Sequence, residues 1–68
     1  ESLDALAMAV KADGSIPSVR TNYAVALATA GRLDEARREV QAALQIDPNY
    51  ANAQQFLAEL TRQMEKKK

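Results

Sequence analysis

The sequence predicts an all-α fold of antiparallel helical hairpins, four helices in all. Three observations lead there. Apolar residues recur at three- and four-residue spacings along most of the 68 positions, the period of a helix with one buried face. Glycine and proline fall at intervals, at Gly14, Pro17, Gly31 and Pro48, and divide that pattern into helix-length pieces. No stretch alternates apolar and polar residues with the period of two that a half-buried strand would show.

Leu3, Leu6, Ala7 and Val10 form the apolar stripe of a first helix running from residue 1 to about 12, which Asp13-Gly14-Ser15 stops. Pro17 then suits the first turn of a second helix, where a missing N–H costs little. Val19, Tyr23, Leu27 and Ala30 continue its stripe with Ala24 and Ala26 beside it, and Gly31 provides a C-terminal cap. The third helix opens at Leu33-Asp34-Glu35, where acidic side chains favour the positive end of the helix dipole. Its stripe is Leu33, Ala36, Val40, Ala43 and Leu44. Asp34, Glu35, Arg37, Arg38 and Glu39 are expected to face water, with Asp34 and Arg38 spaced for an i,i+4 ion pair. Asp47-Pro48-Asn49 breaks this helix and begins the fourth, in which Ala53, Phe56, Leu57, Leu60 and Met64 recur. Turns of two to four residues force sequential helices to pack antiparallel.

Shifted by 34 residues, the chain matches itself: Asp13-Gly14-Ser15-Ile16 falls on Asp47-Pro48-Asn49-Tyr50, Leu6 on Val40, Ala9 on Ala43, Val10 on Leu44, Tyr23 on Leu57 and Ala24 on Ala58. Two helices per such period is the arithmetic of a helical solenoid. The series Arg20, Tyr23, Ala24, Leu27, Ala36, Val40, Ala43 and Pro48, with Gly31 and Asp34-Glu35-Ala36 between, resembles the tetratricopeptide repeat (TPR). Arg20 stands where that family usually has tryptophan or another large apolar residue, and Gly14 where a proline would close the preceding repeat. The resemblance implies a right-handed α-solenoid. Residues 1–16 would be the second helix of one repeat, 17–50 a complete repeat, and 51–68 the first helix of another or a capping helix. Small residues at Ala24, Ala36 and Ala43 would let two helix axes approach closely. A start at Glu1, without methionine and inside a helical pattern, is what a fragment of a longer chain would show.

Composition narrows the chemistry. Nine basic and nine acidic residues give a net charge of zero, so no overall field draws the chain to nucleic acid or to an anionic membrane. No apolar run nears the roughly 20 residues that span a bilayer. Cysteine and histidine are both absent, which removes thiolate chemistry, the commonest general base and the commonest metal ligands. The carboxylate pairs Asp4 with Asp13, Asp34 with Glu35, and Glu59 with Glu65 lie at helix ends or on polar faces, where solvation or capping is their expected role. Met8 and Met64 read as core or interface filler, and Lys66-Lys67-Lys68 as a complement to the last helix's negative end. No catalytic residue, cofactor or metal site is expected, nor a nucleic-acid partner.

What remains is a surface. The resemblance implies a protein–protein interaction module in which the first helix of each repeat lines a concave groove for a peptide or a partner helix. On that basis the groove candidates are Ser18, Thr21, Asn22 and Val25 on the second helix, and Asn52, Gln55, Glu59 and Arg62 on the fourth. Thr21 and Val25 occupy places where TPR domains that clamp a terminal carboxylate would carry lysine and asparagine, which argues against that ligand. Phe56, Leu57, Leu60 and Met64 form a candidate self-association face, since the last helix of an array has no successor to cover it. The rival expectation is an accessory region of a larger enzyme that positions a partner or substrate for another domain.

Overall fold

A computed structural model describes residues 3–66 and shows four helices: α1 (Leu3–Ala12), α2 (Pro17–Thr29), α3 (Leu33–Ile46) and α4 (Ala51–Lys66). Glu1, Ser2, Lys67 and Lys68 lie outside the described residues, and with them the end of the lysine tail. No strand occurs among the described residues. The fourth helix begins at Ala51, beyond the Asp47-Pro48-Asn49 break rather than within it.

The core is made by few and mostly small side chains. Ala24, Leu27, Ala36, Val40, Ala43 and Ala53 are fully buried, and Leu60 is 1% exposed. Alanines on facing sides of α2 and α3 allow that hairpin to close tightly, and it is the most extensive pairing in the molecule. Leu27, Val40 and Leu60 are the largest fully buried side chains, and burying each contributes about 1.5–3 kcal/mol. Leu3, Tyr23, Leu33, Leu44, Tyr50, Phe56, Leu57 and Met64 surround this cluster, each half-buried. By contrast, α1 contributes no buried residue, and Met8, expected as filler, is 70% exposed.

The turns show why each helix stops. At the end of α2, Gly31 has φ of 85°, a left-handed conformation that glycine adopts without a Cβ clash. Its N–H donates to the Ala28 carbonyl at 3.0 Å and the Arg32 N–H to that of Leu27 at 2.9 Å, the paired bonds of a Schellman cap. Arg32 then grips Glu35 through two bonds of 2.7 and 2.9 Å, bracing the first turn of α3. This i,i+3 pair takes the place of the expected Asp34–Arg38 pair: among the described residues the ion pairs are Arg32–Glu35 and Arg20–Glu39. Pro17 opens α2 as expected, with no side-chain cap at Ile16.

The 34-residue period is written in hydrogen bonds as well as in residues. The Asp13 N–H donates to Ala9 at 3.1 Å, and that of Asp47 to Ala43 at 3.0 Å. The Ser15 N–H donates to the Asp13 carboxylate at 3.0 Å, and that of Asn49 to Asp47 at 3.1 Å, so each turn is an Asx turn. Arg20 Nε donates to the Gly14 carbonyl at 2.6 Å, while Gln54 Nε2 donates to that of Pro48 at 2.5 Å. In every case the second bond lies 34 positions after the first. Pro48, one of the residues that carry the repeat resemblance, is itself exposed. Its part in the repeat is to break the helix and to offer that carbonyl.

Arg20 and Gly14, the two departures from the family pattern, prove to be one contact. The guanidinium lies over the glycine: a Cβ at residue 14 would sit 2.6 Å from Arg20 Nη2. Arg20 Nη1 also reaches Glu39 on α3 at 3.0 Å, so a single side chain ties the α1–α2 turn, α2 and α3. Glu39, expected to face water with Arg37 and Arg38, is half-buried in this pair, whereas those two arginines are exposed.

Candidate partner-binding groove

Helices α2 and α4 lie side by side, each joined to its neighbour through α3, and a cleft of about 200 Å³ opens between them. Val25, Ala28 and Thr29 form its α2 wall; Phe56, Glu59, Leu60 and Gln63 form the α4 wall. Of the expected groove residues, Val25 and Glu59 line this cleft. Two residues from the candidate self-association face, Phe56 and Leu60, supply much of the apolar lining on the α4 side.

Thr21, expected in the groove, does not line this cleft. It is 5% exposed, and its hydroxyl donates to the Pro17 carbonyl at 2.9 Å within α2. At about 100° per residue it points between Ala28 and Val25, but it lies one turn nearer the start of α2, where it is buried along with Ala24 and Leu27. Gln55 does not line the cleft either. Gln55, Ala58 and Thr61 stand 34 positions after the buried Thr21, Ala24 and Leu27, yet all three are exposed. Ser18 and Asn22 are exposed on α2, as are Asn52 and Arg62 on α4, and none of the four lines the cleft. Asn52 Nδ2 donates to the Tyr50 hydroxyl at 3.5 Å.

Leu60 must also be withdrawn from the self-association face, because at 1% exposure it belongs to the core. Phe56, Leu57 and Met64 are half-buried against that core. Met64 opens on the other side of α4, into a shallow depression with Arg37, Thr61 and Glu65. Thr29 and Gln63 are cleft residues that sequence reasoning missed, and the repeat carried their signal: they lie 34 positions apart, as Val25 and Glu59 do.

The electrostatics of the cleft are simple. Along α2 the one charged residue is Arg20, and its guanidinium is turned toward Gly14 and Glu39. Glu59 is exposed, lines the cleft and makes no ion pair among the described residues. The groups with displaced pKa values lie elsewhere. Hydrogen bonds from the Ser15 hydroxyl and N–H lower that of Asp13, and those to Glu35 raise that of Arg32. Among the described residues no three acidic, histidine or cysteine side chains gather to hold a metal ion, and no helix is long and apolar enough to cross a membrane.

Comparison with known proteins agrees with the helical-repeat fold. A family model described as "Tetratricopeptide repeat" matches residues 17–60, taking in all of α2 and α3 and most of α4. The TPR repeat-containing thioredoxin TTL4 of Arabidopsis thaliana is 52% identical over 44 residues, 65% of this chain but 6% of that protein's length. No solved structure matches. With four antiparallel helices, bonds repeating every 34 residues and a family model covering α2 through most of α4, the chain belongs to the tetratricopeptide repeat family.

Proposed function

We propose that the chain is a protein-interaction module whose α2–α4 cleft receives a segment of a partner protein and so supports assembly of a complex. TPR repeats generally mediate protein–protein interaction, and the single observation that carries the assignment to this face is the cleft itself. It combines an apolar floor with exposed polar side chains, and it holds Val25, a large apolar residue 43% exposed on an otherwise well-packed helix. Binding by such a surface rests on a few anchors that enter pockets, with polar complementarity around them. In this reading residues 17–50 act as the complete repeat, and α4 supplies the second wall of the groove.

The test compares three forms of the protein as bait: the wild-type chain, a groove variant with Val25→Gln and Gln63→Ala, and an α3 variant with Arg38→Glu and Gln41→Ala. All four positions are exposed, so the helices should remain folded by circular dichroism. Partners should be retained by the α3 variant and lost from the groove variant. The opposite pattern would mean that binding uses the α3 face.

A second reading is favoured by the one relative described above. Its name joins TPR repeats to a thioredoxin, and the present chain matches 6% of its length. In that reading this module holds a partner or substrate for a catalytic domain elsewhere in a longer protein. Sequencing the parent transcript on both sides of the chain decides between an accessory and a free-standing role.

A further inference from the structure

The geometry points to a particular occupant for the α2–α4 cleft: an extended peptide segment that places one apolar side chain in the cleft and a lysine or arginine one or two residues away, against Glu59. We infer this from size, charge and spacing, and it rests on the reading of the cleft as a docking surface. At about 200 Å³ the cleft is smaller than the roughly 300–1,000 Å³ of small-molecule pockets, and suits a single anchoring side chain. Val25, Ala28, Phe56 and Leu60 give that anchor an apolar environment.

Charge selects the neighbour. The cleft lining contains one ionisable group, the Glu59 carboxylate, which is exposed and has no counter-ion among the described residues. The α2 wall cannot offset it, because Arg20 is held by Gly14 and Glu39. Arg62, one turn further along α4, is exposed but does not line the cleft. An acidic ligand would therefore meet an uncompensated like charge, and a basic one would neutralise it. Spacing fixes the register. Phe56 and Glu59 are about 4.5 Å apart along the helix axis, the reach of one or two residues of extended chain at about 3.3 Å each.

The test is selection from a randomised peptide display library, performed in parallel on the wild-type chain, on Glu59→Lys and on Val25→Gln. Wild-type selection should enrich an apolar residue with lysine or arginine one or two positions away. Peptides so found should bind Glu59→Lys about threefold to fivefold more weakly by fluorescence anisotropy, with the difference shrinking at high salt. Selection on Glu59→Lys should yield acidic neighbours instead. Val25→Gln should weaken every selected peptide whatever its charge. Enrichment that depends on Val25 but shows no basic preference, or a preference unmoved by Glu59→Lys, would overturn this inference and leave the groove reading standing. Peptides indifferent to Val25, or no enrichment at all, would overturn both.

Discussion

If Gly14 and Arg20 form one contact, their substitutions must be coupled. Arg20→Ala removes the Nε bond to the Gly14 carbonyl at 2.6 Å and the ion pair to Glu39 at 3.0 Å, in a setting where the two charged side chains are 25% and 23% exposed. A charged donor's hydrogen bond contributes about 1.5–3 kcal/mol, and a partly exposed ion pair about 0.2–1 kcal/mol. Because Gly14 retains access to water, its abandoned carbonyl can be resolvated, so a loss of about 2 kcal/mol is expected. Gly14→Ala places a Cβ 2.6 Å from Arg20 Nη2 and 3.2 Å from the Val10 carbonyl oxygen. The guanidinium must swing aside, which should cost about 1 kcal/mol through the weakened bond. Residue 14 does not have a positive φ, so once Arg20 is alanine the same substitution meets no guanidinium. It then gains about 0.4–1 kcal/mol from a less flexible unfolded chain, against the close Val10 oxygen. The expected coupling is about 1 kcal/mol, read from urea unfolding followed by circular dichroism across the four members of a double-mutant cycle. Additivity to within about 0.3–0.5 kcal/mol would refute the claim that the two departures compensate.

Three other outcomes follow from the packing and the turns. Ala43→Leu or Ala24→Leu should destabilise by about 1–3 kcal/mol through overpacking of the α2–α3 hairpin, whereas Met8→Ala, at a side chain 70% exposed, should change the urea midpoint little. Gly31→Ala should cost about 1–2 kcal/mol in thermal unfolding, because its φ of 85° is unfavourable for a residue with a Cβ; nothing lies within 4 Å of the added atom, so the loss is conformational rather than steric crowding. The Asp13 carboxyl is held below its ordinary value of 3.8 in the folded chain. The stability that it contributes is therefore present above that value and is lost as pH falls through the lower folded value. The thermal midpoints of wild type and Asp13→Ala should differ near neutral pH and converge in acid.

The sequence made helices, turns and repeat legible because each had a local cause. Gly31 announced a C-terminal cap, Pro17 a first turn, and Asp13-Gly14-Ser15 and Asp47-Pro48-Asn49 the breaks between helices, while the Asx turns at those breaks came only with the structure. The alanines at 24, 36 and 43 were legible as contact points because the repeat assigned them a neighbour. The cleft was legible only in part. Val25 and Glu59, expected to line a groove, do line it, but Thr21 is buried and Gln55 lies off it. Burial and the extent of the cleft along each helix depend on how α2, α3 and α4 pack together, which local sequence does not carry. Leu60 was misread for a related reason: a terminal helix was expected to leave its apolar face bare, yet α4 turns Leu60 inward against the hairpin. Glu39 looked solvated because its cation comes from 19 residues away in the chain.

The bond from residue 20 to the carbonyl of residue 14, and its counterpart from residue 54 to residue 48, has one member in arginine and the other in glutamine. The acceptor belongs to the main chain, so the turn asks only for a long side chain ending in an N–H. The bond that closes the turn therefore does not itself require charge, although at residue 20 the charge also pairs with Glu39. An array built on this plan can set the electrical pattern of one edge, unit by unit, to suit whatever lies beside it, while the pitch from hairpin to hairpin stays the same.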